Sequence, residues 1–446
     1  MNIIYIKQYL KSKIKNIIQK DYLYNTNLRE YQLKRINEII KYAKQNSPFY
    51  KEFYKDIDFE LKSLSDIKKL PILKKDLFKE AIKANTILSN KFSKDELLCG
   101  HTTGSTGTPL EMCFDKECSQ KRSVVQSRLW KNMGILPYKR FVKVWRDKNL
   151  SKSEQKLKDA GLLLPISVGD VADPLNSATT NEKLQNILKE LIEFKPQVIR
   201  GYVSALYSIA GIIERENIKF DTLEAIVTSA EYLPANMWEY FEKVFNCPVY
   251  NLYGGTEAPS IAVNDKNSHN MIISEDLYFI EVLDENGKDT KIDKQGLITI
   301  TDLYSIATPL IRYQIGDMAI IDDNFYQFDK KFRYFVSVEG RTNDIFELED
   351  GSLIYSHLWF VYFRTEKWIE KFKVIQIDKK NIDIKLQISD YNEKKLAKLK
   401  NKISNLYPKL KFNWEVVAKI DLDKGNKFRS VLSLVENKFN KINKGK

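Results

Sequence analysis

The chain has 446 residues, more than one ordinary core holds, so two or more domains are expected, and its 43% hydrophobic and 12% aromatic content excludes a disordered polymer. Its net charge of +13 resides in 59 lysines and 13 arginines. Arginine is the residue of forked phosphate and base contacts, and here the lysines are spread through every segment, so a nucleic-acid partner is not expected.

The start, MNIIYIKQYLKSKIK, scatters lysines through its apolar residues, which is not the layout of a signal peptide. No run approaches the roughly 18 apolar residues of a membrane span, so stable membrane insertion is not expected and the cytoplasm is the expected location. Residues 5–55 read as helical, with Leu33, Ile36, Ile39 and Ile40 at helical spacing. From 95 to 260 strands and helices alternate: strands at 196–201, 225–229 and 248–252, helices at 204–214 and 235–245. Such alternation predicts an α/β fold with a mostly parallel sheet. Between 261 and 341 strand-like runs with Gly turns predict a β-rich part packed on the first. From 343 to 446 a hairpin, a helix at 391–406 and a strand at 413–420 predict a small α+β domain, so that 1–342 form the large N-terminal domain. Four cysteines (Cys99, Cys113, Cys118, Cys247) with no second Cys/His pair suit a reducing compartment and argue against a structural metal.

Five short segments carry chemistry. TTGSTGTPL (102–110) packs glycines among hydroxyl residues, which lets backbone N–H groups turn onto an anion. No Gly-Lys-Ser/Thr follows, so it is not a P-loop. YGGTE (253–257) comes directly after a predicted strand, at the edge of an α/β sheet where ligands bind; a carboxylate there can hold Mg²⁺. RYQIGD (312–317) holds an acid on a Gly turn, suited to both hydroxyls of a ribose. GRTND (340–344) lies between the predicted domains, and GNKFR (425–429) offers a lysine near the C-terminus. Arg312, Arg341 and Arg429 all fall beside these turns, in a chain poor in arginine. Each segment alone reads equally as an ordinary turn; their order does not.

That order resembles the adenylate-forming superfamily of acyl-CoA synthetases, luciferases and peptide-synthetase adenylation domains. SPFY (47–50), LPILKK (70–75), KPQVIRGYVS (195–204), VTSAE (227–231) and TDLYSIATPLIRYQIGD (301–317) are similar to its phenylacetate–CoA ligase-like branch, which includes proteins of capsular polysaccharide clusters. The resemblance spans nearly the whole chain. It implies an acid-activating, AMP-forming ligase that uses ATP and Mg²⁺ and releases pyrophosphate. The acyl group would pass to CoA or to an amine or sugar acceptor. Thr103, Gly104, Ser105, Thr106 and Gly107 would cradle the phosphates, with Tyr253 and Gly254 at the nucleotide. Thr256 would face the α-phosphate, Glu257 would hold Mg²⁺, Asp317 the ribose, and Arg341 ribose or phosphate. Lys427 would serve adenylation, and Thr342–Asn343 would be the hinge of a mobile small domain.

Departures from the family pattern are Glu111 in place of a lysine, Asn426 in place of a glycine, and no cysteine beside His269, which reads as structural. Around Ser167–Thr180 no aromatic, glycine-rich acyl-pocket segment is recognisable, which counts against phenylacetate. The alternatives are an aryl-acid CoA ligase of catabolism, a degenerate nucleotide-binding protein without turnover, and a binder of nucleic acid or anionic surfaces through the excess charge.

Overall fold

In this computed structural model the described residues are 27–101, 111–136, 138–145, 150–167, 177–233, 235–265, 268–291, 294–322, 332–341, 346–350, 353–354, 359, 362–363, 366, 368–388, 392–420 and 430–435. The chain begins there with helices α1 (Leu28–Asn46), α2 (Pro48–Phe53) and α3 (Lys75–Lys83). Asn27 caps α1 by accepting from the Arg29 N–H, and Ser47, with Pro48 after it, starts α2. A two-stranded ribbon, β1 (Leu98–His101) and β2 (Glu111–Phe114), precedes α4 (Lys116–Asn132), which Asp115 caps.

Next come β3 (Phe141–Trp145), α5 (Lys152–Asp159), β4 (Leu163–Ser167), α6 (Ser177–Phe194), β5 (Val198–Gly201), α7 (Val203–Arg215), β6 (Ala225–Ser229), α8 (Ala235–Phe245) and β7 (Val249–Tyr253). These five strands run parallel in the order β4-β3-β5-β6-β7. All five residues of β6 are buried, as a strand covered on both faces requires. Residues alternate between faces: Ile199, Ile226 and Val249 enter a core shared with α6, α7 and α8, whereas Val198, Val227 and Tyr250 enter a larger one shared with α1–α4.

The sheet does not stop at residue 260. Strands β8 (Ala262–Asn264), β9 (Met271–Ile273), β10 (Tyr278–Leu283), β11 (Gly296–Asp302), β12 (Tyr313–Asp322) and β13 (Tyr334–Arg341) extend it antiparallel, in the order β7-β8-β9-β13-β12-β11-β10. The β-rich part, expected to pack on the α/β part, is therefore an edge-to-edge continuation of one eleven-stranded sheet. After a short pair, β14 (Phe346–Glu347) and β15 (Leu353–Ile354), a separate sheet follows: β16 (Ile369–Gln376), β17 (Asn381–Ile388), β18 (Lys411–Val416) and β19 (Val431–Ser433), with α9 (Glu393–Leu406). It packs around its own core of Trp359, Phe363, Phe372, Ile384, Leu399 and Ile403. No helix of the described residues is long and apolar enough to cross a membrane.

Two of the segments similar to the phenylacetate ligase-like branch, SPFY and LPILKK, serve as scaffold. The Tyr50 hydroxyl donates to Pro309 O at 3.0 Å and accepts from the Ile311 N–H, which ties SPFY to the ATPLIR run. The Leu73 backbone exchanges hydrogen bonds with Arg312 O and Gln314 N, so LPILKK lies along the start of β12.

Candidate functional site

The turn after β7 sits at the carboxyl edge of the parallel strands. Gly254 has no room for a side chain: a Cβ would fall 2.6 Å from Ser260 N and 3.0 Å from Ala258 O. This tight reversal is closed by the Gly255 N–H donating to Ala258 O, and it leaves Thr256 and Glu257 half-buried. Among the described residues the Glu257 carboxylate has no hydrogen bond or ion pair, while its carbonyl accepts from Arg122 Nη2 at 3.1 Å.

Arg122 is the strut of this region. From α4 it reaches Asp302 Oδ2 at 2.6 Å, and its guanidinium lies 3.9 Å from the centre of the Phe114 ring. Burial opposes its charge, and the hydrogen-bonded Asp302 carboxylate favours it. Asp302 accepts from the N–H groups of Tyr304 and Ser305, and the Thr308 hydroxyl donates to Cys113 O at 2.8 Å. The TDLYSIATP run thus fastens the β1–β2 ribbon beside the YGGTE turn.

Two predicted motifs meet side chain to side chain. The Tyr253 hydroxyl donates to Asp317 Oδ2 at 2.8 Å, across 64 residues of sequence. Asp317 follows Gly316, whose φ of +88° suits glycine, and stands opposite Arg341 in the β12–β13 register. A bulge between Asp317 and Met318 interrupts that register, a common device for aiming a side chain at a site. Tyr253, Gly254, Thr256, Glu257, Asp317 and the Arg341 backbone therefore belong to one edge of one sheet.

Thr103, Gly104, Ser105, Thr106, Gly107, Thr342, Asn343 and Lys427 lie outside the described residues, as does Arg429. Residues 102–110 connect His101 and Glu111, which are paired in register.

Several sequence readings change. Arg312, read beside a nucleotide-binding turn, is buried and forked onto Glu281, at 3.0 Å from Nε and 2.7 Å from Nη2, and donates to the carbonyls of Lys68 and Leu70. All three of its guanidinium nitrogens are engaged by the scaffold. Cys113 is paired with Cys99 across the ribbon, with an S–S distance of 2.09 Å. Glu111, which departs from the pattern of the family that the sequence resembles, meets the ammonium of Lys94 at 2.5 Å. His269 stacks on Trp238 at 4.1 Å between ring centres, in keeping with a structural role. Arg122 escaped the sequence reading, although arginine scarcity applied to all thirteen would have flagged it.

No family model matches the chain. It is 27% identical over 438 residues to a protein called CapK from Staphylococcus aureus, covering 92% of this chain and 90% of that one. It is 22% identical over 334 residues to the phenylacetate–coenzyme A ligase of Thermus thermophilus, covering 71% of each. Among solved structures, 2-hydroxyisobutyryl-CoA ligase, in its postadenylation state with 2-HIB-AMP, matches with a TM-score of 0.73 at 16% identity, covering 93% of this chain and 91% of that one. At that identity the likeness is one of fold.

Proposed function

We propose that the chain is a member of the adenylate-forming superfamily of acid-activating ligases, and that it uses ATP to convert a carboxylic acid to an acyl-adenylate and then transfers the acyl group. The observation that carries this reading is the Tyr253–Asp317 hydrogen bond with Arg341 opposite Asp317, which unites three separate motifs on one sheet edge.

In the first step a substrate carboxylate oxygen bonds to the α-phosphorus of ATP, and the bond from that phosphorus to the pyrophosphate oxygen breaks. Both reactants are anions, so positioning and charge neutralisation supply most of the catalysis, and no side-chain nucleophile is needed. Asp317 accepts from the ribose hydroxyls, and Tyr253 fixes that carboxylate. Thr256 donates to the α-phosphate. The Glu257 carboxylate, half-buried and without a protein partner among the described residues, fits a Mg²⁺ ligand; the ion when bound neutralises phosphate charge. Residues 103–107 cradle the outgoing phosphates, Arg341 faces ribose or phosphate, and Lys427 neutralises the charge that builds as carboxylate and phosphate meet. In the second step a nucleophile, the CoA thiol or an amine or sugar group, attacks the acyl carbon and AMP leaves. The small unit from 343 onward turns about Thr342–Asn343 between the steps. The resemblance to proteins of capsular polysaccharide clusters supports acyl decoration of a surface glycan, and the likeness to phenylacetate–coenzyme A ligase supports CoA as acceptor.

The test is pyrophosphate release with hydroxylamine as trap, across aryl, fatty, hydroxy and amino acids, with and without CoA. Release with one acid class and formation of its hydroxamate are expected. Binding of ATP with no release for any free acid would sink the reading.

A further inference from the structure

Four buried or half-buried arginines around the eleven-stranded sheet come with carboxylates. Arg122 has Asp302, Arg128 has Asp276, Arg312 has Glu281 and Arg333 has Glu275, at 2.6–2.9 Å. Arg200 breaks the pattern. It stands on β5, one residue before the strand's carboxyl end, and among the described residues it has no ion-pair partner. Its Nε is enclosed and has no hydrogen-bond acceptor there. Its guanidinium carbon lies 5.3 Å from the centre of the Trp145 indole and 5.7 Å from that of Trp130, and the Tyr202 ring stacks on Trp145 at 4.6 Å. Trp130, Trp145, Arg200 and Tyr202 are all half-buried, so the cluster opens to solvent although its polar base is covered.

The nearby acid does not discharge this cation. Glu154 accepts from Lys143 Nζ at 2.5 Å and from the backbone and hydroxyl of Ser151, which commits both its oxygens. Burial pulls the Arg200 proton affinity down to about 10, against the opposing pull of Glu154, a cost that the other four arginines meet with a paired carboxylate. Two indole faces offset part of it. A planar, forked donor beside two indole rings matches a carboxylate or similarly flat anion.

The position relates this cluster to the chemistry. β5 is two strands from β7, so Arg200 lies about 10 Å along the same carboxyl edge from the YGGTE turn. Trp130 and Arg122, which holds Glu257, both belong to α4. Resting on the adenylation reading, we infer that Arg200, between Trp130 and Trp145, is a specificity-determining residue that recognises a second acidic group on the acyl substrate, so that the acid activated is a dicarboxylic acid.

The experiment uses matched probes: glutarate against valerate and terephthalate against benzoate, on the full-length protein. Calorimetric titration of each acid, with AMP present, reads binding alone. Pyrophosphate release with hydroxylamine reads activation. The diacids are expected to bind, and to exceed their monoacid partners at least tenfold in kcat/KM. Arg200→Met should raise the KM of the diacid at least tenfold and leave the KM of ATP unchanged, while Arg200→Lys restores part of the loss. Equal activation of monoacids by the wild type, equal losses for both kinds of acid in Arg200→Met, or no binding of either diacid would each overturn the assignment. Release with valerate or benzoate alone would preserve adenylation and refute the role of Arg200. Diacid binding that depends on Arg200 with no release would preserve the subsite and refute adenylation. Should Arg200→Met fail to fold, the wild-type comparison of diacid with monoacid decides alone.

Discussion

Arg312 and Asp317 are five residues apart in one motif, yet opposite outcomes are expected when each is replaced. Asp317 is held by Tyr253 at the sheet edge, and the proposed function gives its carboxylate to the ribose. Arg312 and Glu281 are nearly sealed, with side-chain exposures of 3% and 4%, and among the described residues each is the other's ion-pair partner. Burial pushes the Glu281 carboxyl up, and the Arg312 guanidinium pulls against that. Removing one member of such a pair strands the other, at about 3–5 kcal/mol. Arg312→Met should therefore lose that much in urea unfolding, with much of it regained in Glu281→Leu/Arg312→Met, whereas Asp317→Ala should unfold like the wild type and bind ATP at least tenfold more weakly by calorimetry. A fall in ATP affinity for a well-folded Arg312→Met would return Arg312 to the nucleotide site. The motif was legible as a unit; which of its two charges faces the ligand was not, because that depends on Glu281, reached through pairing of distant strands.

At the scale of elements, the turn between β7 and β8 binds the site together and leaves little freedom. Alanine at Gly254 would push its methyl against the backbone of Ser260 and Ala258, where no side-chain rotation relieves the contact. Gly254→Ala should cost more than about 1 kcal/mol of stability and displace Thr256 and Glu257, so pyrophosphate release falls further than stability does. Chemical denaturation alongside the hydroxylamine assay separates the two; full activity in the alanine variant would show that the turn is not the site. This element was readable, since a run such as PVYNLYGGTE ends a buried strand on paired glycines. The strands at 225–229 and the helix at 235–245 were also legible to the residue, because central parallel strands are continuously apolar and helices carry a 3.6-residue stripe. The antiparallel half was legible only as strands. Its pairing of β13 with β9 joins residues more than sixty apart, and no local pattern encodes it. Arg122 was missed for the same reason: its partners Asp302 and Glu257 are 180 and 135 residues away.

Considered as a whole molecule, the chain has two sheets with separate cores, and the proposed adenylation chemistry draws on both. The eleven-stranded sheet fixes Tyr253, Asp317 and the Arg341 backbone together, and the smaller four-stranded sheet has a core of its own. The catalytic lysine assigned by resemblance, Lys427, belongs to the stretch between β18 and β19 of the smaller sheet. A group delivered from a separate body contributes to the transition state without helping to hold ATP in the ground state, which is the pattern expected of differential binding. Lys427→Ala should therefore cut pyrophosphate release at least a hundredfold, in the range of a lost electrostatic donor, while the calorimetric Kd for ATP stays within about twofold. It should spare the second step: supplied with a preformed acyl-adenylate, the variant should still transfer the acyl group to hydroxylamine at a rate close to wild type. Weakened ATP binding in proportion to the lost rate would instead make Lys427 a ground-state ligand, and equal loss of both steps would argue against a lysine that serves adenylation alone.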